Sequence, residues 1–471
     1  MQEINKPLLF IGGDLNGIQN FIYNVSSKKA AVSLKGRSEW LSRYMENVCK
    51  NLIKLAAIDV GSTKDVVYCS GGKFYAITND SAEIRQSLDS YIKRVKKDLW
   101  NSQNGQICIS IAYTPFSFIT ESKIKIEQEE YSIGELWRQT NARFSKEKNR
   151  KFYDVITSGY DQLFKVQPVG GNVHVCAITG VENNDCIQLE DEEDSIWVLP
   201  SVKEQIQLGQ KLRNQEHFKT FQEYAGDSFL GVLRMDVDGL GTRFIKGFTT
   251  IDEYKSFSEK LRLFFDKNLQ AIQQQEIFCD YLNIIYAGGD DIFVVGRWDK
   301  VIDFASTIRN EFSSYIGDEK LSISGGMAIV GPKFPISKAA EIAGEAENTA
   351  KSFNQGQKNA FSFLGECVSW NKEFPKVKAM KADFINQIQD FGLSRGILHK
   401  LMAYASIAAE GKNMSYLWHS VYYLTRLLAS CPDKCKPFIR NIRDNEINQG
   451  VRNFQLIALA ARWAELEIRN N

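Results

Sequence analysis

Two acidic stretches carry residue types and spacings suited to metal-assisted phosphoryl chemistry. One is Tyr286-Ala287-Gly288-Gly289-Asp290-Asp291-Ile292-Phe293. Leu282 to Tyr286 and Ile292 to Val295 are apolar, β-branched or aromatic runs that read as buried strands. Gly288-Gly289 between them permits positive φ and close approach of another molecule. Adjacent strand side chains point to opposite faces, so Asp290 and Asp291 converge only if the turn re-aims one of them. Unpaired carboxylates repel, and a divalent cation relieves the repulsion. A solvated acidic hairpin has the same residues, so the hairpin alone leaves both readings open. The second stretch, Leu230 to Gly241, is an apolar strand ending in Asp236-Val237-Asp238-Gly239 and favours the metal.

The elements between them must position these acids. Phe257, Leu261, Phe264, Phe265 and Leu269 recur at helical spacing and predict a helix over 252–275. A further helix is expected over Val301–Tyr315 and a strand over Leu321–Val330. The order βαββαβ is that of a ferredoxin-like, or palm, unit. Its first and second strands are expected to be neighbours, with Asp236 facing Asp290 and Asp291 across the sheet end. Three convergent carboxylates suit two magnesium or manganese ions and a nucleoside triphosphate.

The same order occurs near the N-terminus. Leu8 to Ile11 reads as a strand, followed by Gly12-Gly13-Asp14. A helix over Ser33–Leu55 comes next, then strand, Gly71-Gly72, strand, a helix over Ala82–Leu99 and a strand over Gln106–Tyr113. The chain therefore contains an internal repeat. Asp14 is matched with Asp236, and Gly71-Gly72 with Gly288-Gly289. Lys73 and Phe74 then stand where the second copy has Asp290 and Asp291. One reading is a catalytic palm and a binding palm across a shared nucleotide cleft. The other is a first copy kept for structure alone. Lys73, a cation beside a glycine turn, suits phosphate.

The fold class expected is α+β: two ferredoxin-like palms, an inserted small domain and a C-terminal helical bundle. The boundaries are 1–115, 116–226, 227–370 and 371–471. The insert opens on the Lys- and Glu-rich stretch Glu121–Glu130. It holds His174, Cys176 and Cys186, which look like a zinc knuckle missing a ligand and read better as ordinary side chains. Its run Glu190–Asp194 reads as a solvated loop. Helices are expected over Leu136–Lys146, Gln205–Leu212 and Ser337–Lys351, and throughout Lys372–Asn471, ending on Ile457–Ile468. Lys351 and Lys358 either reach a triphosphate or line a solvated face. Cys431 and Cys435 read as structural.

Composition narrows the class. The 471 residues are 44% hydrophobic and 24% charged with net charge +1, so nothing global signals nucleic acid. The nine cysteines are scattered, as in a reduced, cytoplasmic protein, and no apolar run is long enough to span a membrane.

Several motifs together resemble the large subunit of type III CRISPR effector complexes, subtype A (Csm). Gly13-Asp14-Leu15-Asn16-Gly17-Ile18-Gln19, Ser33-Leu34-Lys35-Gly36-Arg37-Ser38 and Gly71-Gly72-Lys73-Phe74-Tyr75 are similar to its first palm. Met235 to Gly241, Gly288 to Asp291, and Ala346-Glu347 through Lys351 to Lys358-Asn359 are similar to its second. The resemblance runs in order along nearly the whole chain. It implies a target-RNA-activated nucleotidyltransferase that joins ATP into cyclic oligoadenylate. Partners would be the other subunits of the complex and, through them, guide and target RNA. Asp236, Asp290 and Asp291 would be catalytic and hold metal, with the Val237 carbonyl as a further ligand. Gly71, Gly72, Lys73, Gly288, Gly289, Lys351 and Lys358 would bind ATP. Ser38 and Ser258, early in equivalent helices, would read adenine, although a serine at a helix start is also a common cap.

Two other classes stay open: a stand-alone cyclase of the diguanylate type, and a catalytically silent scaffold. Two palms in one chain argue against the first. The intact Asp236, Asp290 and Asp291 argue against the second.

Many relatives of that family begin with a His-Asp nuclease domain. Here the first palm begins within the opening residues, and none of the four histidines precedes an aspartate. The purified chain with Mn2+ is therefore expected to leave single-stranded DNA intact. Cutting that disappears when a histidine is replaced would contradict this.

Overall fold

The computed structural model describes residues 5–55, 65–163, 173–190, 195–318, 320–409 and 415–470. The fold is α+β, with two six-stranded sheets and a C-terminal set of helices.

The first sheet begins with β1 (Leu8–Asn16), followed by α1 (Ile18–Tyr23) and α2 (Ala30–Leu55). Strands β2 (Asp65–Ser70) and β3 (Lys73–Asn79) form a hairpin, and α3 (Ala82–Gln103) leads to β4 (Cys108–Phe118). Next come β5 (Lys123–Ile126) and β6 (Glu129–Ser132), giving the order β2-β3-β1-β4-β5-β6. The stretch Glu121–Glu130, expected to open the insert, thus prolongs the first sheet.

Helices α4 (Gly134–Lys148) and α5 (Tyr153–Leu163) follow. Two short antiparallel pairs come next, β7 (His174–Val175) with β8 (Glu182–Asn183), and β9 (Ile187–Leu189) with β10 (Ile196–Val198). Residues 191–194 of the acidic run lie outside the described residues. Then come α6 (Pro200–Glu216) and the short α7 (Phe221–Ala225).

These helices share the core of the first sheet. α4 packs on β4 and β1, and α6 packs along α2. The α2–α6 crossing is close because two glycines meet it. A Cβ on Gly36 would stand 1.8 Å from the Gln205 carbonyl oxygen, and one on Gly209 would stand 2.0 Å from that of Val32. The buried Arg37 donates to the carbonyls of Phe21 (2.5 Å) and Asn24 (3.0 Å) and to Gln205 Oε1 (3.2 Å). One guanidinium thus ties the end of α1 to α2 and α6.

The second sheet starts with β11 (Leu230–Asp238), then α8 (Leu240–Lys246) and α9 (Ile251–Leu263). α9 runs through a π-turn at Phe264–Asn268 into α10 (Leu269–Gln273). The chain continues through β12 (Leu282–Gly288), β13 (Asp291–Arg297), α11 (Trp298–Ile316) and β14 (Ser322–Val330). It then forms α12 (Ile336–Gly356), β15 (Ala360–Phe363) and β16 (Glu366–Ser369).

The order is β12-β13-β11-β14-β15-β16, with β15 parallel to β14. The expected neighbourhood of the first and second strands is therefore incorrect: β11 lies between β13 and β14. The helical crossover after β11 carries the chain one strand further out, and the returning hairpin strand β13 fills the gap. The first sheet repeats this arrangement, with β1 between β3 and β4.

The C-terminal helices are α13 (Glu373–Gln389), α14 (Gly396–Ala409), α15 (Ser415–Ser430), α16 (Lys436–Asn441) and α17 (Val451–Asn470). α17 starts six residues before the expected Ile457, because Phe454 already belongs to its buried face. Phe363 meets Trp463 edge-on at 5.3 Å and joins this layer to the second sheet. Cys431 and Cys435 are free thiols. No helix among the described residues is long and apolar enough to cross a membrane.

The α2–α6 crossing can be tested directly. Gly36→Ala is expected to cost about 1–3 kcal/mol of unfolding free energy through overpacking against backbone, read from urea denaturation.

Candidate active site

The two sheets correspond position for position at the strand that carries the acids. Asp14 pairs across the sheet with Lys73 and Ser110, and Asp236 pairs with Asp291 and Ser324. Leu15 N–H donates to the Gly72 carbonyl at 2.8 Å, and Val237 N–H donates to that of Asp290 at 3.0 Å. Lys73 is therefore the counterpart of Asp291, Gly72 of Asp290 and Gly71 of Gly289. The sequence matching of the two hairpins is off by one residue.

Turn type explains the slip. Gly71 and Gly72 both have positive φ (59° and 78°), as a type I′ turn requires. In the second hairpin only Gly289 does (69°), as in type II′. Gly288 is the last residue of β12 and pairs with Asp291.

Asp236, Asp291 and Glu347 present carboxylate oxygens that all lie within 4.8 Å of one another. Glu347 is not among the acids that the sequence assigns to the site. It arrives on α12, which seats against the strands because residue 326 is glycine. A Cβ there would be 2.0 Å from Glu347 N. The available signal was its place four residues before Lys351, on the same helix face.

Lys351 Nζ lies 2.6 Å from both Asp236 Oδ2 and Glu347 Oε1, and Arg234 Nε lies 3.0 Å from Glu347 Oε2. Lys351 therefore faces the acids and does not line a solvated face. Burial, then the neighbouring Asp291 and Asp290, push the Asp236 carboxyl up to about 8. Burial and Asp290 also raise Asp291. Burial works against the Lys351 charge, but Asp236 and Glu347 outweigh it and raise the ammonium.

Asp290 engages the other sheet: its Oδ2 is 3.8 Å from Lys73 Nζ. Asp238 has a structural task, accepting from Ser322 Oγ and Ser324 Oγ at 2.7 Å each and from Asn359 N–H at 3.1 Å. Lys358, next to Asn359, is half-buried with φ 59°.

The two hairpins touch. A Cβ on Gly71 would stand 2.6 Å from the Gly288 carbonyl and from Gly289 Cα. Gly289 N–H donates to Ser70 Oγ at 3.2 Å. Lys35 Nζ of α2 donates to the Ile284 carbonyl at 2.9 Å, beside a bulge in β12. Tyr23 packs on Phe293, ring centroids 4.3 Å apart, under the Arg234 guanidinium. A cavity of about 230 Å³ opens between the sheets, lined by Asp14, Lys73, Tyr75, Trp137, Lys148 and Asp290.

Ser38 is the ninth residue of α2 and Ser258 the eighth of α9, so neither is early in its helix and neither is a cap. Thr250 caps α9. Ser258 Oγ is buried without a hydrogen-bond partner among the described residues. His174 stacks on Trp197 at 3.4 Å, and Cys176 and Cys186 are buried free thiols.

The family model described as Cas10/Cmr2, second palm domain, matches residues 229–362, and that described as Csm1 subunit domain B matches residues 7–167. A relative from Enterococcus italicus bears the name CRISPR system single-strand-specific deoxyribonuclease Cas10/Csm1 (subtype III-A). It is 27% identical over 415 residues, covering 74% of this chain and 53% of its own. A relative of the same name from Mycobacterium tuberculosis is 23% identical, covering 90% of this chain and 62% of its own. The chain thus spans about half to three-fifths of the length of these relatives.

Among solved structures, a Csm1–Csm4 cassette in complex with pppApApA aligns with TM-score 0.72 and 17% identity, covering 99% of this chain and 70% of that one. A cassette with AMPPNP gives TM-score 0.69 and 19% identity, covering 98% and 70%. One with cA4 gives 0.70 and 18%, covering 99% and 70%. At these identities the likeness establishes the fold.

The raised Asp236 carboxyl has a consequence for stability. Unfolded, it ionises near ~4, whereas folded it keeps its proton up to about 8. Between these values the folded chain binds more protons, so stability falls as pH rises. In EDTA, the melting temperature of the wild type should drop between pH 6 and 8.5. Asp236→Asn should remove most of that drop and melt about 2–4 °C higher at pH 8.5.

Proposed function

For this chain, a homologue of the Cas10/Csm1 large subunit of subtype III-A, we propose a nucleotidyltransferase that links ATP through 3′-hydroxyl attack on an α-phosphate, giving cyclic oligoadenylate. It works within a type III complex, beside a Csm4-like subunit, and is switched on by target RNA. The observation that carries this is the acid cluster Asp236–Asp291–Glu347 meeting a lysine-bearing twin hairpin across a glycine contact. Structural neighbours crystallised with AMPPNP, pppApApA and cA4 agree with such substrates and products.

The two halves are read as two ferredoxin-like palms, the second catalytic. Asp236, Asp291 and Glu347 are all hard oxygen donors, the set that magnesium or manganese prefers. Burial, then the nearby Asp291 and Asp290, hold a proton on Asp236 to about 8, which marks a site short of positive charge. Asp290 and the Val237 carbonyl complete the proposed ligands. A bound divalent ion would supply Lewis acidity, easing ionisation of the attacking hydroxyl and offsetting charge on the leaving pyrophosphate.

The chain's own groups do the rest. Lys351 now pairs with Asp236 and Glu347 and, released from them, reaches phosphate. Arg234 holds the Glu347 carboxylate aimed at the site. Gly71, Gly72, Gly288 and Gly289 let triphosphate approach the backbone, with Lys73 on the first palm and Lys358 beyond α12 adding positive charge. Ser38 and Ser258 stand in corresponding helices as readers of the base, and the unpartnered Ser258 hydroxyl favours that task.

With its complex, target RNA, ATP and Mg2+, the protein should yield adenylate oligomers. Asp290→Ala with Asp291→Ala should abolish product while RNA binding is kept. Glu347→Gln should weaken Mn2+ binding about tenfold or more, read by titration calorimetry. GTP consumed in preference to ATP would point to a diguanylate-type enzyme, and ATP bound without turnover to a scaffold.

A further inference from the structure

The C-terminal helices present an aromatic face far along the chain from either hairpin. Trp418, Tyr422 and Arg426 recur every four residues, so α15 turns all three to one side. Trp418 is 63% exposed and Tyr422 61%. Every Leu, Ile, Val and Met of α14 and α15 is buried or half-buried, so the large apolar side chains left in solvent there are aromatic. The rings are ordered. His419 lies nearly parallel to Trp418, centroids 4.4 Å apart, and to Tyr404 of α14 at 6.2 Å. Tyr404 meets Tyr423 edge-on at 6.3 Å. The Arg426 guanidinium stands over Tyr422 at 5.8 Å and donates to its hydroxyl at 3.5 Å.

Charge on this face has one sign. Neither α14 nor α15 contains an aspartate or glutamate. Lys400 and Arg426 are exposed on them, and Arg395 is exposed just before α14. On the elements packed against the two helices, Asp433 pairs with Lys436, Asp444 with Arg443, Glu446 with Lys376 and Glu467 with Lys381, all at 2.6–3.0 Å. Asp390, at the end of α13, accepts from Asn386 at 3.0 Å, and Glu465 of α17 is half-buried. Glu410, between the two helices, lies outside the described residues. The helices thus offer rings and cations to an incoming polyanion, with no acid of their own to repel it.

We propose that this face of α14 and α15 binds single-stranded RNA, with Trp418 and Tyr422 stacking on bases and Lys400 and Arg426 holding phosphates. Every base has a π-face, so such stacking asks for unpaired bases and little sequence. Duplexes hide those faces. The hydroxyls of Tyr404 and Tyr422 border the rings and suit a ribose 2′-hydroxyl, which DNA lacks. A protein partner would more often be met by exposed aliphatic side chains as well, and these are missing. The face belongs to neither sheet, so it stands independently of the nucleotidyltransferase reading.

Fluorescence anisotropy of labelled oligouridine with the full chain tests this. The wild type should bind, more weakly as salt rises. Trp418→Ala with Tyr422→Ala should weaken binding about tenfold or more, and Trp418→Phe should keep most of it. Arg426→Gln should weaken binding and flatten the slope of log Kd against log salt by about 0.7, and Arg426→Lys should restore both. Oligothymidine should bind about threefold more weakly than RNA. These side chains are exposed, so each variant should melt as the wild type does. No binding by the wild type, the double alanine variant binding as tightly as wild type, DNA bound as tightly as RNA, or ATP with Mg2+ displacing the RNA overturns the proposal. If the double variant keeps RNA but loses a protein subunit of its complex, the face is a protein interface and the proposal falls.

Discussion

Backbone meets backbone where the hairpins of the two sheets touch, and no side chain fits there. Gly71 lies so close to Gly288 and Gly289 that any Cβ would overlap main-chain atoms. Main chain is the stiffest material a protein has, so this contact fixes Lys73 and Asp290 relative to each other better than flexible side chains could. Ser70 Oγ and Lys35 Nζ reinforce it by engaging Gly289 N–H and the Ile284 carbonyl. Both groups come from the first half and act on the hairpin that carries the acids of the second. The acidic hairpin is therefore shaped partly by residues more than two hundred positions away in the chain.

Electrostatics then decides what the contact can do. Three carboxylates, from the ends of β11 and β13 and from within α12, crowd a half-buried space, where repulsion is poorly screened. Lys351 and Arg234 lessen the cost within the second half, and Lys73 reaches in from the first. A site balanced this way responds readily to added positive charge. A fully salt-bridged cluster would have no such need.

Much of this was legible in the sequence because strands and hairpin tips announce themselves locally. Apolar, β-branched and aromatic runs beside paired glycines mark both hairpins. What escaped depends on partners far along the chain. Strand order is set by how a crossover packs, which no local pattern records, so the sequence pattern leads to β12 where β13 belongs. In sequence the hairpins match glycine to glycine, whereas their turn types differ and the true register is one residue away. Glu347 gives little local signal because an acid on an amphipathic helix looks solvated until the helix is seated, and Gly326 does the seating. The exposed-looking stretch Glu121–Glu130 joined the first sheet because Ile124 and Ile126 bury one face of a short strand.

The pairing of Asp14 with Lys73 has an implication for descent. A symmetric pair of identical chains cannot give its two halves different tasks, since every replacement appears twice. Lys73 in both hairpins would have stripped such a pair of a key acid at each centre. Tethering the halves in one polypeptide lifts that restriction, letting one copy trade its acid for a base while the other keeps its own. The covalent link between the sheets is thus what permits a division of labour that self-association forbids.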